Sequence, residues 1–420
     1  MIPNPYFAAL AQVCDAAFAA ERFREAQTLL RLLIGTGGND GVNFYLLGHT
    51  HYALGEYEQA ESALRLSIGI DPTRSESFND LAAALFRQNR DAEALMFIRQ
   101  ALKLNPHMAE AEESDSIWLL RYGRFREGWR KYEARNRTAE GLPLQRNFPQ
   151  PQWHGEPIHD RTILLHAEQG FGDAIQFARY APLVAARGAK VILEVHAGLA
   201  TALRTLPGVS QLIERGVPLP PFDVHCPLVS LPLAFGTDMD SIPASVPYIV
   251  PEPERVFQWR TRLGPRRVMR IGIAWSGNPG HREDARRSIP LARLTDLLAD
   301  RPDREFHVVQ NEVRESDKAT LAALPHVRDY SRDLRSFADA AALVSLMDVV
   351  ITVDTAIAHL AGAMGWPVWV LLPTVPDWRW MLERDDSPWY PSMWLFRQKR
   401  RDEWDPVLME VARQLDDMLS

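Results

Sequence analysis

Small and large apolar residues recur along the first 138 residues at a fixed step. Asp71-Pro72 and Asn105-Pro106 each close a helical stretch, and the two prolines lie 34 residues apart. On that step Leu47-Gly48, Ala60, Leu64 and Pro72 fall opposite Leu81-Ala82, Ala94, Ile98 and Pro106, with Gly55 opposite Asn89 at a turn. Ala26 and Leu30 continue the register upstream. Gly123, Gly128 and Tyr132 continue it downstream, where Asp115-Ser116 replaces the small-residue pair. Small residues are needed where paired helices cross closely, and a proline after each second helix starts the next turn.

A repeating pair of helices with this period is that of the tetratricopeptide repeat. Stacked pairs leave the first helix of each along a concave surface suited to an extended peptide. Tyr45, His49, Tyr52, Glu76, Asn79 and Phe86 are expected to project there, as a protein-acceptor groove; inter-repeat packing is the alternative for some of them. His49-Thr50-His51 is not a metal site, because adjacent helical residues point to different faces.

The pattern stops after Arg137, and the proline-rich stretch 139–160 reads as a linker. Beyond it, short β-branched runs alternate with helical stretches, the signature of parallel strands with crossover helices. Strands are predicted at Ile163–Leu165, Val191–Val195, Leu212–Ile213 and Phe222–Cys226, with a helix over Asp173–Arg187. A second unit carries strands at Arg270–Ala274, Phe306–Val309, Val349–Val353 and Val368–Leu372. The predicted architecture is α plus α/β: a helical solenoid over 1–138, then two Rossmann-type lobes over 161–250 and 251–402. A last helix over 403–420 is expected to cross back over the cleft.

Ligands of open parallel sheets bind beyond the carboxyl ends of the strands, so the loops there are candidates. In His166–Asp173, Gly170 and Gly172 allow close backbone approach, and the next helix start favours negative charge. Ile175 stands where a dinucleotide fingerprint needs its third glycine. Asp173 has two readings, a helix cap or a general base. In the second lobe Ser276, Asn278, Arg286, Arg287 and Ser288 offer donors for a diphosphate, since guanidinium bonds phosphate oxygens bidentately. Asp354, Thr355 and Ala356 open a helix whose N–H groups would face a phosphate, with His359 on the same face. Gln310, after a strand, and Trp378 are further donor-binding candidates. Asp238-Met239-Asp240 looks like a metal-holding Asp-x-Asp but lies in a proline-bounded loop without the matching sheet pattern, so no metal is expected.

Composition narrows the classes. With 46% hydrophobic and 24% charged residues the chain is globular, and a net charge of −7 argues against a non-specific grip on nucleic acid. Two distant cysteines, Cys14 and Cys226, give neither a disulfide framework nor a zinc pattern. No apolar run is long enough for a membrane span, and no export signal is evident, so the cytoplasm is expected.

Several motifs together resemble bacterial glycosyltransferases of the heptosyltransferase-like group with the two-lobed GT-B fold, in the branch fused to tetratricopeptide repeats. They are Gln169-Gly-Phe-Gly-Asp-Ala-Ile-Gln-Phe-Ala-Arg-Tyr180, Arg287-Ser-Ile-Pro290, Val353-Asp-Thr-Ala-Ile-Ala-His-Leu-Ala-Gly362, Pro376-Asp-Trp-Arg-Trp380 with Ser387-Pro-Trp-Tyr-Pro391, and Gly128-Trp-Arg-Lys-Tyr-Glu133. The plan is also similar to O-linked sugar transferases of protein Ser or Thr, including those that glycosylate bacterial flagellin. The resemblance implies that Asp173 is the base and that Asp354, Thr355 and His359 belong to the donor phosphate loop. It implies inverting, metal-independent transfer from a nucleotide-sugar, which is a substrate and not a cofactor. A nucleotide-sugar epimerase and a non-catalytic repeat adaptor are the competing readings.

Overall fold

The computed structural model of the chain describes residues 5–281 and 283–418. Its first part is a row of helices: α1 Pro5–Ala19, α2 Phe23–Gly35, α3 Gly41–Ala53, α4 Tyr57–Ile70, α5 Ser75–Phe86, α6 Asp91–Leu104, α7 Ala109–Arg121 and α8 Phe125–Tyr132. The turn within each pair passes through a positive φ at Glu21, Gly55, Asn89 and Gly123 (54°, 77°, 61° and 74°), the same place in each 34-residue step. Glycine and asparagine tolerate this conformation, whereas Glu21 holds it against steric preference.

The small residues sit where paired helices touch. A Cβ on Gly48 would lie 2.5 Å from Leu64 Cγ and 3.3 Å from the Ala60 carbonyl oxygen; one on Gly128 would lie 2.7 Å from Leu120 Cδ2. Ala26, Ala60 and Ala94, at equivalent places, are fully buried, as are Leu30, Leu64 and Ile98. Asp40 caps α3 by accepting from the Asn43 N–H at 2.8 Å. The polar replacement in α7 is accommodated by bonding: Asp115 pairs with Lys131, and the Ser116 hydroxyl donates to the Glu113 carbonyl at 2.6 Å.

The expected groove residues divide. Glu76 is exposed, and Tyr45 and His49 are half-buried. His49 Nδ1 lies 2.7 Å from Asp80 Oδ2, and Arg74 stacks over Tyr45 at 5.7 Å. Asn79, in contrast, is buried and accepts from the Ser114 hydroxyl of α7 at 3.3 Å, and Tyr52 and Phe86 pack on the core around Ala60 and Leu64. Asn79 is thus inter-repeat packing, while Tyr52 and Phe86, like Tyr45, are only partly buried on that core.

A second compact unit begins at Leu144 and also takes in Gly123–Arg126. Its first sheet comprises β1 Thr162–His166, β2 Lys190–Val195, β3 Val209–Glu214 and β4 Val224–Pro227, in the order β3-β2-β1-β4. The second comprises β5 Met269–Ala274, β6 Arg304–Val308, β7 Arg328–Asp329, β8 Val349–Val353, β9 Val368–Leu372 and β10 Met393–Arg397, in the order β10-β9-β8-β5-β6-β7. Every strand pairing is parallel. β5, β8 and β9 are buried throughout, which explains their unbroken apolar runs. The chain is thus a helical repeat region followed by two doubly wound lobes, the architecture expected above.

Three expectations are corrected in detail. The helix over Asp173–Arg187 is two, Phe171–Ala178 and Ala181–Ala185, because Pro182 starts a new helix and cannot donate in an old one. The supposed linker is ordered over its second half. Trp153 and Ile158 are buried, the Trp153 N–H donates to the His225 carbonyl at 2.7 Å, and the His225 N–H donates to that of Pro151 at 3.2 Å, so the segment lies along β4. The last helix, Asp405–Asp417, does not cross back over the cleft. Its apolar face of Val407, Leu408, Val411 and Leu415 is part of the core around Ile271 and Phe306 in the second sheet.

Candidate functional site

The loop after β1 and those after β5, β8 and β9 meet around the N-terminus of the Phe171–Ala178 helix. Asp173, the third residue of that helix, both reaches back to the N-cap residue Gly170 and partners a residue from the other lobe. Its Oδ2 accepts from the Gly170 N–H at 3.0 Å, and its Oδ1 pairs with Arg379. The same guanidinium donates through Nε to Gln176 Oε1 at 2.5 Å and through Nη1 to Asp377 Oδ1 at 2.8 Å, and lies over the Trp378 ring at 4.5 Å. Gly172 gives close approach, but to protein: a Cβ there would meet His359 Cδ2 at 2.8 Å.

On the second-lobe side, Arg287 Nη1 donates to the Asp354 carbonyl at 2.9 Å, and its guanidinium lies against Gly277, where a Cβ would come within 2.7 Å of Nη2. Its Nε is buried without a hydrogen-bond partner among the described residues. Thr355 opens the Ala356–Ala363 helix in an extended conformation, and its side chain makes no cap bond; the hydroxyl lies 3.2 Å from that of Thr352. The helix therefore begins without a side-chain cap, its Ala358 N–H donating to the Thr355 carbonyl at 3.0 Å, and presents the positive end of its dipole.

The electrostatics tie these groups together. Burial pushes the Asp354 carboxyl up to about 6, with Asp377 adding to the rise and Trp380, Arg287 and Arg379 opposing it. His359 is buried, with Nδ1 2.9 Å from the Tyr390 hydroxyl and its ring against Trp380. Burial drives its pKa well below the usual histidine range, and Arg379, Arg179 and Arg287 reinforce the shift, so the imidazole is neutral.

Other sequence candidates hold the loops in shape. Gln310 is buried and saturated: its carbonyl accepts from the N–H groups of Trp275 (2.8 Å) and Ser276 (3.3 Å), and its amide donates to the Ser276 hydroxyl (3.1 Å) and the Glu312 carbonyl (2.7 Å). Ser288 is buried between Asp284, Gly277 and Arg314. Trp378 is buried against Trp389 and Arg379, leaving no face for a ligand ring. Arg286 pairs with Glu283 at 3.1 Å, and the exposed Asn278 turns back to accept from the Gly280 N–H. Asp238 caps a short turn, and among the described residues no cluster of three or more His, Cys, Asp or Glu could hold a metal ion.

Sequence reading passed over Arg379, Asp377, Gln176 and Arg179. Arg179 is buried, donates to the Trp389 carbonyl at 2.7 Å and stacks over Tyr390 at 4.5 Å. All four lie inside motifs quoted for the resemblance, and the signal available was a polar or charged residue within an otherwise aromatic or apolar run.

Residues 43–74 match the tetratricopeptide repeat family. Protein FlbA of Caulobacter vibrioides is 26% identical over 429 residues, covering 94% of this chain and 70% of FlbA. Among solved structures, the E. coli ADP-heptose LPS heptosyltransferase II is similar to 61% of this chain over 98% of its own, with 14% identity and a TM-score of 0.46. A variant of the Thermobaculum terrenum O-GlcNAc transferase covers 98% of this chain and 90% of its own, with 13% identity and a TM-score of 0.37. Among the described residues no helix is long and apolar enough to cross a membrane. The chain carries a tetratricopeptide repeat over residues 43–74 ahead of a two-lobed α/β region, and is similar along nearly its whole length to FlbA.

Proposed function

We propose that this chain is an inverting, metal-independent glycosyltransferase that moves a sugar from a nucleotide-sugar donor to a Ser or Thr hydroxyl of a protein held by the repeats. The observation that carries the reading is the pairing of a first-lobe carboxylate, Asp173, with a second-lobe anion cradle. That cradle is Arg287, whose buried Nε makes no hydrogen bond among the described residues and lies 3.9 Å from Asp284 Oδ1, and the helix start after Thr355, which has no side-chain cap. Arg379 joins the two halves through Asp173 and Gln176.

The chemistry follows from these positions. The acceptor oxygen bonds the anomeric carbon as the carbon–oxygen bond to phosphate breaks, and the electron pair leaves with the nucleoside diphosphate. Charge building on that phosphate is met by Arg287 and the helix N–H groups. The acceptor proton passes to Asp173. A single displacement inverts the anomeric centre.

Thermal-shift screening against UDP-, GDP-, CMP- and ADP-sugars tests donor binding, since a ligand at 100 times its Kd adds about 2.7 kcal/mol of stability. With the donor so found, Asp173→Asn should retain binding yet slow transfer by about 10²–10⁴-fold. Near-normal transfer by that variant removes Asp173 from the base role.

A further inference from the structure

Arg379 spends all three guanidinium nitrogens inside the protein, and two of them cross to the opposite lobe. Nε reaches Gln176, Nη2 reaches Asp173 and Nη1 returns to Asp377, whose Oδ1 also accepts the Arg379 backbone N–H at 3.0 Å. The side chain is nine-tenths buried, with Trp378 against its face. With a bond from each nitrogen committed to a protein side chain, such a group is built to hold others in place.

We propose that Arg379 is the positioning residue for Asp173. Each carboxylate oxygen has two lone-pair directions. The Gly170 N–H occupies one on Oδ2 and Arg379 occupies one on Oδ1, so the carboxylate is fixed in rotation with one direction on each oxygen open to an acceptor proton. Gln176, one turn further along the same helix, locks the guanidinium that does the fixing. A lysine could supply the charge but not the three-way fork. This inference rests on the transferase reading, in which Asp173 takes the proton.

A double-mutant cycle tests it, using the full chain and nucleoside diphosphate release from the sugar donor that the panel selects. Arg379→Gln should lower kcat about 100-fold while the donor KM stays within threefold, and Arg379→Lys should recover part of kcat. In an Asp173→Asn background Arg379→Gln should add less than a threefold loss, because its effect passes through the carboxylate. A raised KM with kcat preserved overturns the inference, as does a full 100-fold loss on top of Asp173→Asn. If Arg379→Gln does not fold, Arg379→Lys is read in the same cycle: equal losses with and without the Asp173 carboxylate overturn the proposal. A wild-type chain that releases nucleotide from no donor overturns the transferase reading itself, a failure distinct from either.

Discussion

Gly172 of the first lobe lies so close to His359 of the second that a methyl group on it would stand 2.8 Å from the imidazole Cδ2 and 3.2 Å from Nε2. The imidazole cannot easily yield, since Tyr390 bonds one side and Trp380 packs on the ring. Gly172→Ala should therefore destabilise the chain by about 1–3 kcal/mol, the usual effect of overpacking. Urea unfolding checks this, and His359→Ala in the same chain should restore much of the loss. An unchanged midpoint in the single variant would show that the contact is slack.

Arg287 touches the Asp354 carbonyl and flanks the uncapped helix start. Arg287→Ala should weaken donor binding by about 10–100-fold, the worth of one to two charge-assisted bonds to phosphate. Calorimetric titration reads it directly; an affinity equal to wild type would exclude Arg287 from the phosphate site.

His307, fully buried in β6, is the clearest source of pH-dependent stability. Its ring stacks on Tyr330, and Glu305 Oε1 lies 3.3 Å from Nε2, with Arg270 and Arg328 also on that carboxylate. Burial pushes its pKa down to about 4, Glu305 opposing and the two arginines reinforcing. Between that value and the ordinary 6.5, the unfolded chain binds a proton that the native chain refuses, so stability falls as pH drops through this window. His307→Phe should lose less stability than wild type between pH 6.5 and 4, by on the order of 1–2 kcal/mol. Parallel stability–pH curves would contradict it.

In the repeats, Gly48→Ala places a methyl 2.5 Å from Leu64 Cγ. A loss of about 1–3 kcal/mol is expected, partly relieved by Leu64→Ala. Thermal unfolding followed by circular dichroism measures both, and additive losses would point to another cause.

The repeat spacing and the strands were legible because each is set by local pattern: a left-handed residue and a small residue once per 34, and apolar runs for sheets buried on both faces. β10 was not read, since the exposed Trp394 breaks the buried run at a sheet edge and prolines and aromatic residues crowd its start. The site was legible as loops but not as contacts. Which arginine reaches Asp173 depends on how two lobes meet, and 206 positions separate the partners. Gln310 and Trp378 brace loops, a role that a polar or aromatic residue at a strand end fills as readily as ligand contact, so the pattern does not distinguish the two.

Arg179 and Arg379 bolt the lobes together at opposite ends of one short helix, the first reaching the Trp389 carbonyl and the second Asp173 and Gln176. Swinging the lobes apart would strip both guanidinium groups of buried bonds at once, at an expense of several kcal/mol. The two guanidinium groups therefore act as rivets that penalise any wide hinge motion between the lobes.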